Sequence, residues 1–207
     1  MDGNHAEGPS TKRQLLDAAI ACVAANGIGD LSLRRLAAAL GTSHRMLIFH
    51  FGSKEQLWVE IARTVEQRQR ERLREIVPDR DRPAGEALRV WWKHISDPAL
   101  WANERLFFEL YGQALQGRSH TGELLEGVVD DWLEPVVEIN VARGMPEQLA
   151  RAQARLGVAI TRGLLLDLLA TGDVGAVDQA MDAFIDLYEL WLATSARLVS
   201  ATVAEDV

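Results

Sequence analysis

The chain of 207 residues is 48% apolar and 25% charged, with six prolines and sixteen glycines, which fits one or two globular domains and excludes disordered and collagen-like chains. One cysteine, Cys22, excludes an internal disulfide framework and a multi-cysteine zinc site. The net charge of −8 is unevenly placed: residues 1–80 hold 12 basic against 10 acidic side chains, and residues 81–207 hold 10 against 20.

No window of eighteen apolar residues is present, so no membrane-spanning helix is expected. The opening MDGNHAEGPS lacks the basic and apolar parts of a signal peptide. Residues 1–10 are expected to be a disordered tail, and the expected address is the cytoplasm. Apolar spacing is helical throughout, without strand alternation. From Thr11 to Asn26, Leu15, Leu16, Ala19, Cys22 and Val23 share one face, and Gly27 is a natural stop. Short helices follow over about 33–40 and 44–51, then a longer, charged one from Lys54 to Val77. Pro78 to Pro83 breaks the pattern and marks the domain boundary. Further helices are expected at about 84–96, 98–116, 122–143, 147–171 and 174–200, with Pro135 kinking the third of these.

Residues 31–56 say the most. Ser32 can cap the first short helix, and Leu31 can staple to Leu36. Leu33, Leu36, Ala37 and Leu40 form its inner face. Gly41 sits where a tight turn needs positive φ, and Ser43 can cap the next helix, which turns Leu47 and His50 or Phe51 inward. His50 is expected to be packed and hydrogen-bonded, and Cys22 to be a small core residue. This makes a helix-turn-helix whose outward set is Ser43, His44, Arg45, Ile48 and Phe49. Ser53-x-x-Gln56 then reads as a capping box, with Lys54 beside it for a DNA phosphate.

Thr11 to about Ile61 resembles the DNA-binding domain of the TetR/AcrR family of transcriptional regulators. The resemblance rests on Ala18-Ala19, Gly27, Ser32, Leu36-Ala37, Gly41-Thr42-Ser43, Leu47, His50-Phe51 and Ser53-Lys54-Glu55-x-Leu57. Gly163 to Asp173 resembles these regulators more weakly. Two positions depart from the family pattern: Thr42 replaces its usual valine, and Ile48 replaces a tyrosine that commonly holds a phosphate. Ile48 cannot donate a hydrogen bond to that phosphate and can instead pack on a thymine methyl.

The resemblance implies an all-α protein. Residues 11–57 would be the DNA-binding domain, the helix to about 77 a link, and residues 84–200 a ligand-binding and dimerisation domain. It also implies a homodimeric regulator, a repressor on a palindromic double-stranded operator, released by a small, mainly apolar molecule. The DNA-binding set is Ser32, Arg34, Ser43, His44, Arg45, Ile48, Phe49 and Lys54. The aromatic-rich stretch suggests a ligand pocket from Trp91, Trp92, Trp101, Asn103, Phe107, Phe108, Tyr111 and Trp132, with Glu109 or Gln113 as further polar anchors. The apolar C-terminal helices suggest a dimer interface from Leu156, Ile160, Leu164, Phe184, Tyr188 and Trp191.

The five histidines are scattered, without ligand spacing, so no metal or other cofactor is expected. A rival reading takes Asp130, Asp131 and Glu134 as a magnesium-binding cluster of a helical enzyme acting on a prenyl diphosphate. Its bland counterpart is a solvated helix face. A third reading is a helical protein-binding module.

Overall fold

The computed structural model describes residues 9–27, 31–76, 83–118 and 121–205, and side-chain surroundings for all of these except 9–11 and 195–205. The first eight residues of the expected 1–10 tail and most of the Pro78–Pro83 boundary lie outside the described residues, whereas Pro9 and Ser10 are not tail but the start of the first helix. Among the described residues every regular element is helical. In chain order they are α1 (Pro9–Asn26), α2 (Leu33–Ala39), α3 (His44–Phe51), α4 (Lys54–Ile76), α5 (Ala84–Ile95), α6 (Trp101–Leu115), α7 (Asp130–Ala142), α8 (Glu147–Thr171) and α9 (Val174–Glu205). Single 3₁₀ turns at Pro98–Leu100 and Gly122–Leu125 precede α6 and α7. These turns split the helices expected over 98–116 and 122–143. Pro135 lies inside α7, which continues through it to Ala142.

The chain forms two compact units. The first contains residues up to Gln67 together with Pro98–Leu125, and the second contains Arg68–Asp97 and the chain from Glu126 onward. Helix α4 therefore begins in one and ends in the other. The division corrects the simple split near residue 80, because α6 belongs with the N-terminal helices. The reason is apolar: Leu106 and Leu110 of α6 are buried in the same core as Leu16, Ala19, Val23, Leu36, Leu47, Leu57 and Ile61. A periodicity argument finds the helix but not its neighbour, since α6 returns to this core after α4 and α5 have left it.

The second unit is built on α5, α7, α8, α9 and the end of α4. Leu133, Val137, Met145, Ala150 and Ala154 make a buried cluster between α7 and α8, with Leu192 of α9 packed against it. Helices α5 and α9 approach closely at Gly85. A Cβ there would lie 2.0 Å from Glu189 Oε1 and 2.8 Å from Ile185 Cγ2. Without one, the Gly85 amide donates to Glu189 Oε1 at 3.1 Å. A carboxylate from α9 thus satisfies a free amide in the first turn of α5, where negative charge is favoured.

Candidate nucleic-acid interface

Three serines set the local geometry of residues 31–57. Ser32 Oγ accepts from the Arg35 amide at 3.3 Å, Ser43 Oγ from Met46 at 3.1 Å and Ser53 Oγ from Gln56 at 3.0 Å. Each takes up one of the first-turn amides that have no partner within the helix. Between α2 and α3, Gly41 adopts φ +64°, a conformation that costs a residue with a side chain. The Thr42 amide then donates to Ala37 O at 2.9 Å, closing the turn over a small, buried alanine. Only the serine half of the expected capping box forms. The Gln56 carboxamide instead rests against Gly52, where an added Cβ would meet Oε1 at 2.1 Å.

This geometry fixes which side of α3 faces out. Leu47 and Phe51 are buried in the core with Leu33, Leu36 and Ala37. Ser43, His44, Arg45, Ile48 and Phe49 are exposed, Ile48 at 36% and Phe49 at 71%. Arg34, on α2, is exposed as well. Arg34, Arg35 and Arg45 pair with no carboxylate among the described residues. Lys54, at the start of α4, is half-buried with its ammonium 5.8 Å from the centre of the Trp58 ring, which anchors it.

Two further contacts stabilise this unit and were not foreseen. Lys12 pairs with Glu60 at 2.9 Å and lies over the Phe51 ring, joining α1 to α3 and α4. His50 is packed edge-on against Phe49 and Phe51, but its buried Nε2 has no hydrogen-bond partner, which corrects the expectation of a bonded histidine. Cys22 is half-buried against the core, with Asn26 Nδ2 donating to its carbonyl at 2.9 Å.

A capped, glycine-turned helix pair with an outward face of unpaired basic and apolar groups is a helix-turn-helix. Residues 15–61 match the pattern of the bacterial regulatory proteins of the tetR family. They are a TetR-family DNA-binding domain.

Over most of its length the chain shares its fold with solved regulators. A TetR transcriptional regulator from Legionella pneumophila superimposes with a TM-score of 0.66 at 19% identity, over 86% of this chain and 96% of that one. A transcriptional regulator from Saccharomonospora viridis, solved in complex with choline, gives 0.67 at 20% identity, over 87% and 96%. The multidrug-binding protein EbrR, solved with imidazole, gives 0.59 at 26% identity, over 87% and 90%. No curated protein sequence matches the chain. The chain has the fold and the DNA-binding domain of a TetR-family transcriptional regulator.

The residues expected to line one ligand pocket fall into two groups in this TetR-type fold. Trp101, Asn103, Phe107, Phe108 and Tyr111 lie on α6 in the first unit, with Glu109 and Gln113. Phe107 stacks on Tyr111 at 5.5 Å, Arg105 lies over Trp101, and Gln113 Nε2 donates to Glu109 Oε1. Asn103 is buried, and its Oδ1 has no hydrogen-bond partner. Trp91, Trp92 and Trp132 belong to the second unit and are all buried. There Trp91 meets Trp132 at 5.7 Å, Arg70 lies over Trp132, and Trp92 Nε1 donates to Asp178 Oδ1 at 2.7 Å.

Of the expected dimer residues, Leu156 is exposed and Ile160, Leu164 and Trp191 are half-buried. Phe184 and Tyr188 are buried within the single chain, so they are not surface anchors as the spacing had implied. The Tyr188 hydroxyl donates to Asn140 Oδ1. Burial pushes that hydroxyl above its ordinary pKa, against the opposing influence of Arg143 and the bond to Asn140. Among the described residues, the large apolar side chains that α9 exposes are Val174, at 42%, Leu187, at 54%, and Leu190, at 61%. Sequence periodicity could not choose between the two faces of α9, because both carry leucine or aromatic residues.

The acidic trio is held by arginines. Asp130 pairs with Arg155 at 3.6 Å, Asp131 with Arg70 at 3.5 Å and Glu134 with Arg151 at 2.8 Å. A magnesium ion would have to displace three guanidinium groups to use these carboxylates together. No group of three or more His, Cys, Asp or Glu side chains able to hold a metal occurs among the described residues. Among them too, no helix is long and apolar enough to cross a membrane.

Proposed function

We propose that this TetR-type regulator is a repressor that binds a palindromic double-stranded operator as a homodimer and leaves it when a small effector binds. The observation that carries the DNA reading is the exposed face of α3. His44, Arg45, Ile48 and Phe49 point outward from a helix whose other face is locked into a core. We assign Arg45 to a bidentate contact with guanine, and Ser43, Arg34 and Lys54 to phosphate oxygens. Ser32 serves this surface indirectly, by capping α2.

A single eight-residue helix reads only a few base pairs, so useful specificity needs two heads one helical turn apart or a multiple of that. We assign the dimer interface to α8 and α9. Leu156, Ile160, Leu164 and Trp191 remain from the sequence reading, and Leu187 and Leu190 take the place of Phe184 and Tyr188. The effector reading is supported by the choline and imidazole in the two related structures and by the aromatic side chains of α5, α6 and α7. A mainly apolar molecule, neutral or cationic, suits the acidic second half of the chain better than an anion. The protein would then work in the cytoplasm, where its operator is.

The test is operator binding by the full chain. Arg45→Ala should weaken binding by about 1–3 kcal/mol and relax preference at one base pair. Lys54→Ala should weaken all duplexes alike and lower the salt slope by about 1. Equal, sequence-independent losses for both variants would remove Arg45 from the reading set. Effector candidates are scored by tryptophan fluorescence alongside operator release, and a molecule that changes the fluorescence without changing operator affinity is not the effector.

A further inference from the structure

The outward face of α3 carries two apolar side chains beside its polar ones. Arg45, Ile48 and Phe49 stand at i, i+3 and i+4, so they are neighbours on one strip of helix surface. Two of the three are apolar and exposed, Ile48 at 36% and Phe49 at 71%. Neither serves the core, which already holds Leu47 and Phe51. The Phe49 ring is steadied by an edge-on contact with His50 at 5.1 Å, so it is presented with part of its freedom already lost. A face meant for phosphates alone would carry lysine, arginine or hydroxyl groups there. The floor of the major groove offers one apolar group to such side chains, the C5-methyl of thymine.

We propose that Ile48 and Phe49 determine specificity by packing on thymine methyl groups beside the base pair read by Arg45. The operator half-site then contains thymines next to a guanine, and the methyls themselves carry part of the recognition. This rests on the reading of α3 as the DNA-contacting helix and goes further by naming the chemical group that it reads.

The test begins with duplexes selected from a random library by the full-length protein. Each thymine in a selected half-site is replaced in turn by uracil, which deletes the methyl and keeps the pairing edge. Binding is measured by fluorescence anisotropy at fixed salt. Loss of a buried methyl is expected to weaken binding about fourfold per position, at one or two thymines adjacent to the guanine. Ile48→Ala and Phe49→Ala should each bind the thymine duplex more weakly and show no further loss at the uracil position served by that side chain. Both residues are exposed, so these variants keep the fold, and circular dichroism verifies it.

Uracil duplexes that bind as tightly as thymine duplexes, while Arg45→Ala still weakens binding, would overturn the methyl reading and leave the DNA reading intact. A uracil penalty that persists unchanged in both variants would assign the methyls to other side chains and overturn it equally. Failure to select any duplex would overturn the DNA reading itself, and with it this inference.

Discussion

The helix-turn-helix of the first unit and the long helices of the second use their polar groups differently. In the first, the bonds that shape the helix-turn-helix are local: each serine cap spans three residues, and the outward basic side chains of α2 and α3 make no ion pair among the described residues. In the second, polar side chains tie distant helices together. Trp92 reaches Asp178, Gly85 reaches Glu189, Arg89 reaches Asp182 at 3.0 Å, Arg162 reaches the Val128 carbonyl, and Tyr188 reaches Asn140. The difference follows from what each must do. A surface that has to meet a polyanion keeps its cations unpaired, whereas a bundle of long helices needs directional bonds to hold one register among similar apolar faces.

Removing core volume should give the largest effects. Leu36 is fully buried in the first unit and Leu133 in the second. Leu36→Ala and Leu133→Ala should each cost about 2–5 kcal/mol, measured by urea unfolding. Leu36→Ala should also abolish operator binding at temperatures where the rest of the helix signal persists. If both variants lost DNA binding to the same degree at full helicity, the division of roles between the units would be wrong.

The buried polar pair of the second unit comes next. Asn140→Ala leaves the Tyr188 hydroxyl buried without its acceptor and should cost about 1–3 kcal/mol. Tyr188→Phe should likewise destabilise, and the double variant should lose less than the two singles together, because the orphaned partner is gone. Additive losses would show that the pair does not act as one unit. In the first unit the equivalent experiment is smaller and local. Ser43→Ala should cost about 1 kcal/mol, with a matching loss of operator affinity only where α3 frays.

This contrast also explains what could be read from the sequence. Short-range features were legible: α3 has the expected bounds, Ser32 and Ser43 cap as expected, and Leu33, Leu36, Ala37 and Leu47 are the inner face. Their information lies within three or four residues, which is the reach of capping and helix periodicity. The placement of α6 was not legible, because an amphipathic helix states only that it has a partner. Phe184 and Tyr188 misled for the same reason: i, i+4 spacing marks a face, and burial of that face by other helices of the same chain or by a second copy looks identical in sequence. The arginines on Asp130, Asp131 and Glu134 come from α4 and α8, which no local pattern announces.

The smallest predicted effect lies in the second unit and concerns its response to pH. His94, on α5, sits 5.8 Å from the Trp91 ring. Burial lowers its pKa first, the positive charge of Arg72 lowers it further, and Asp97 opposes both. In the unfolded chain the imidazole returns to its ordinary value near 6.5. Between that value and the lower folded one, the unfolded chain binds the extra proton, so acidification favours unfolding. The contribution of neutral His94 is therefore fully present above about pH 6.5 and is lost as pH falls through the window beneath it. Carboxylates titrate at the acid end of the same window, so the informative quantity is a difference between proteins. Wild type should lose stability more steeply than His94→Gln between about pH 7.5 and 5.5, with the gap confined to the neighbourhood of the histidine transition. His94 is half exposed, which keeps the effect small through solvent screening. Asp97→Asn should enlarge it by removing the one opposing charge. Parallel stability curves for wild type and His94→Gln would show that solvent already cancels the burial, and a shallower slope in wild type would mean that Asp97 outweighs Arg72 and the indole together.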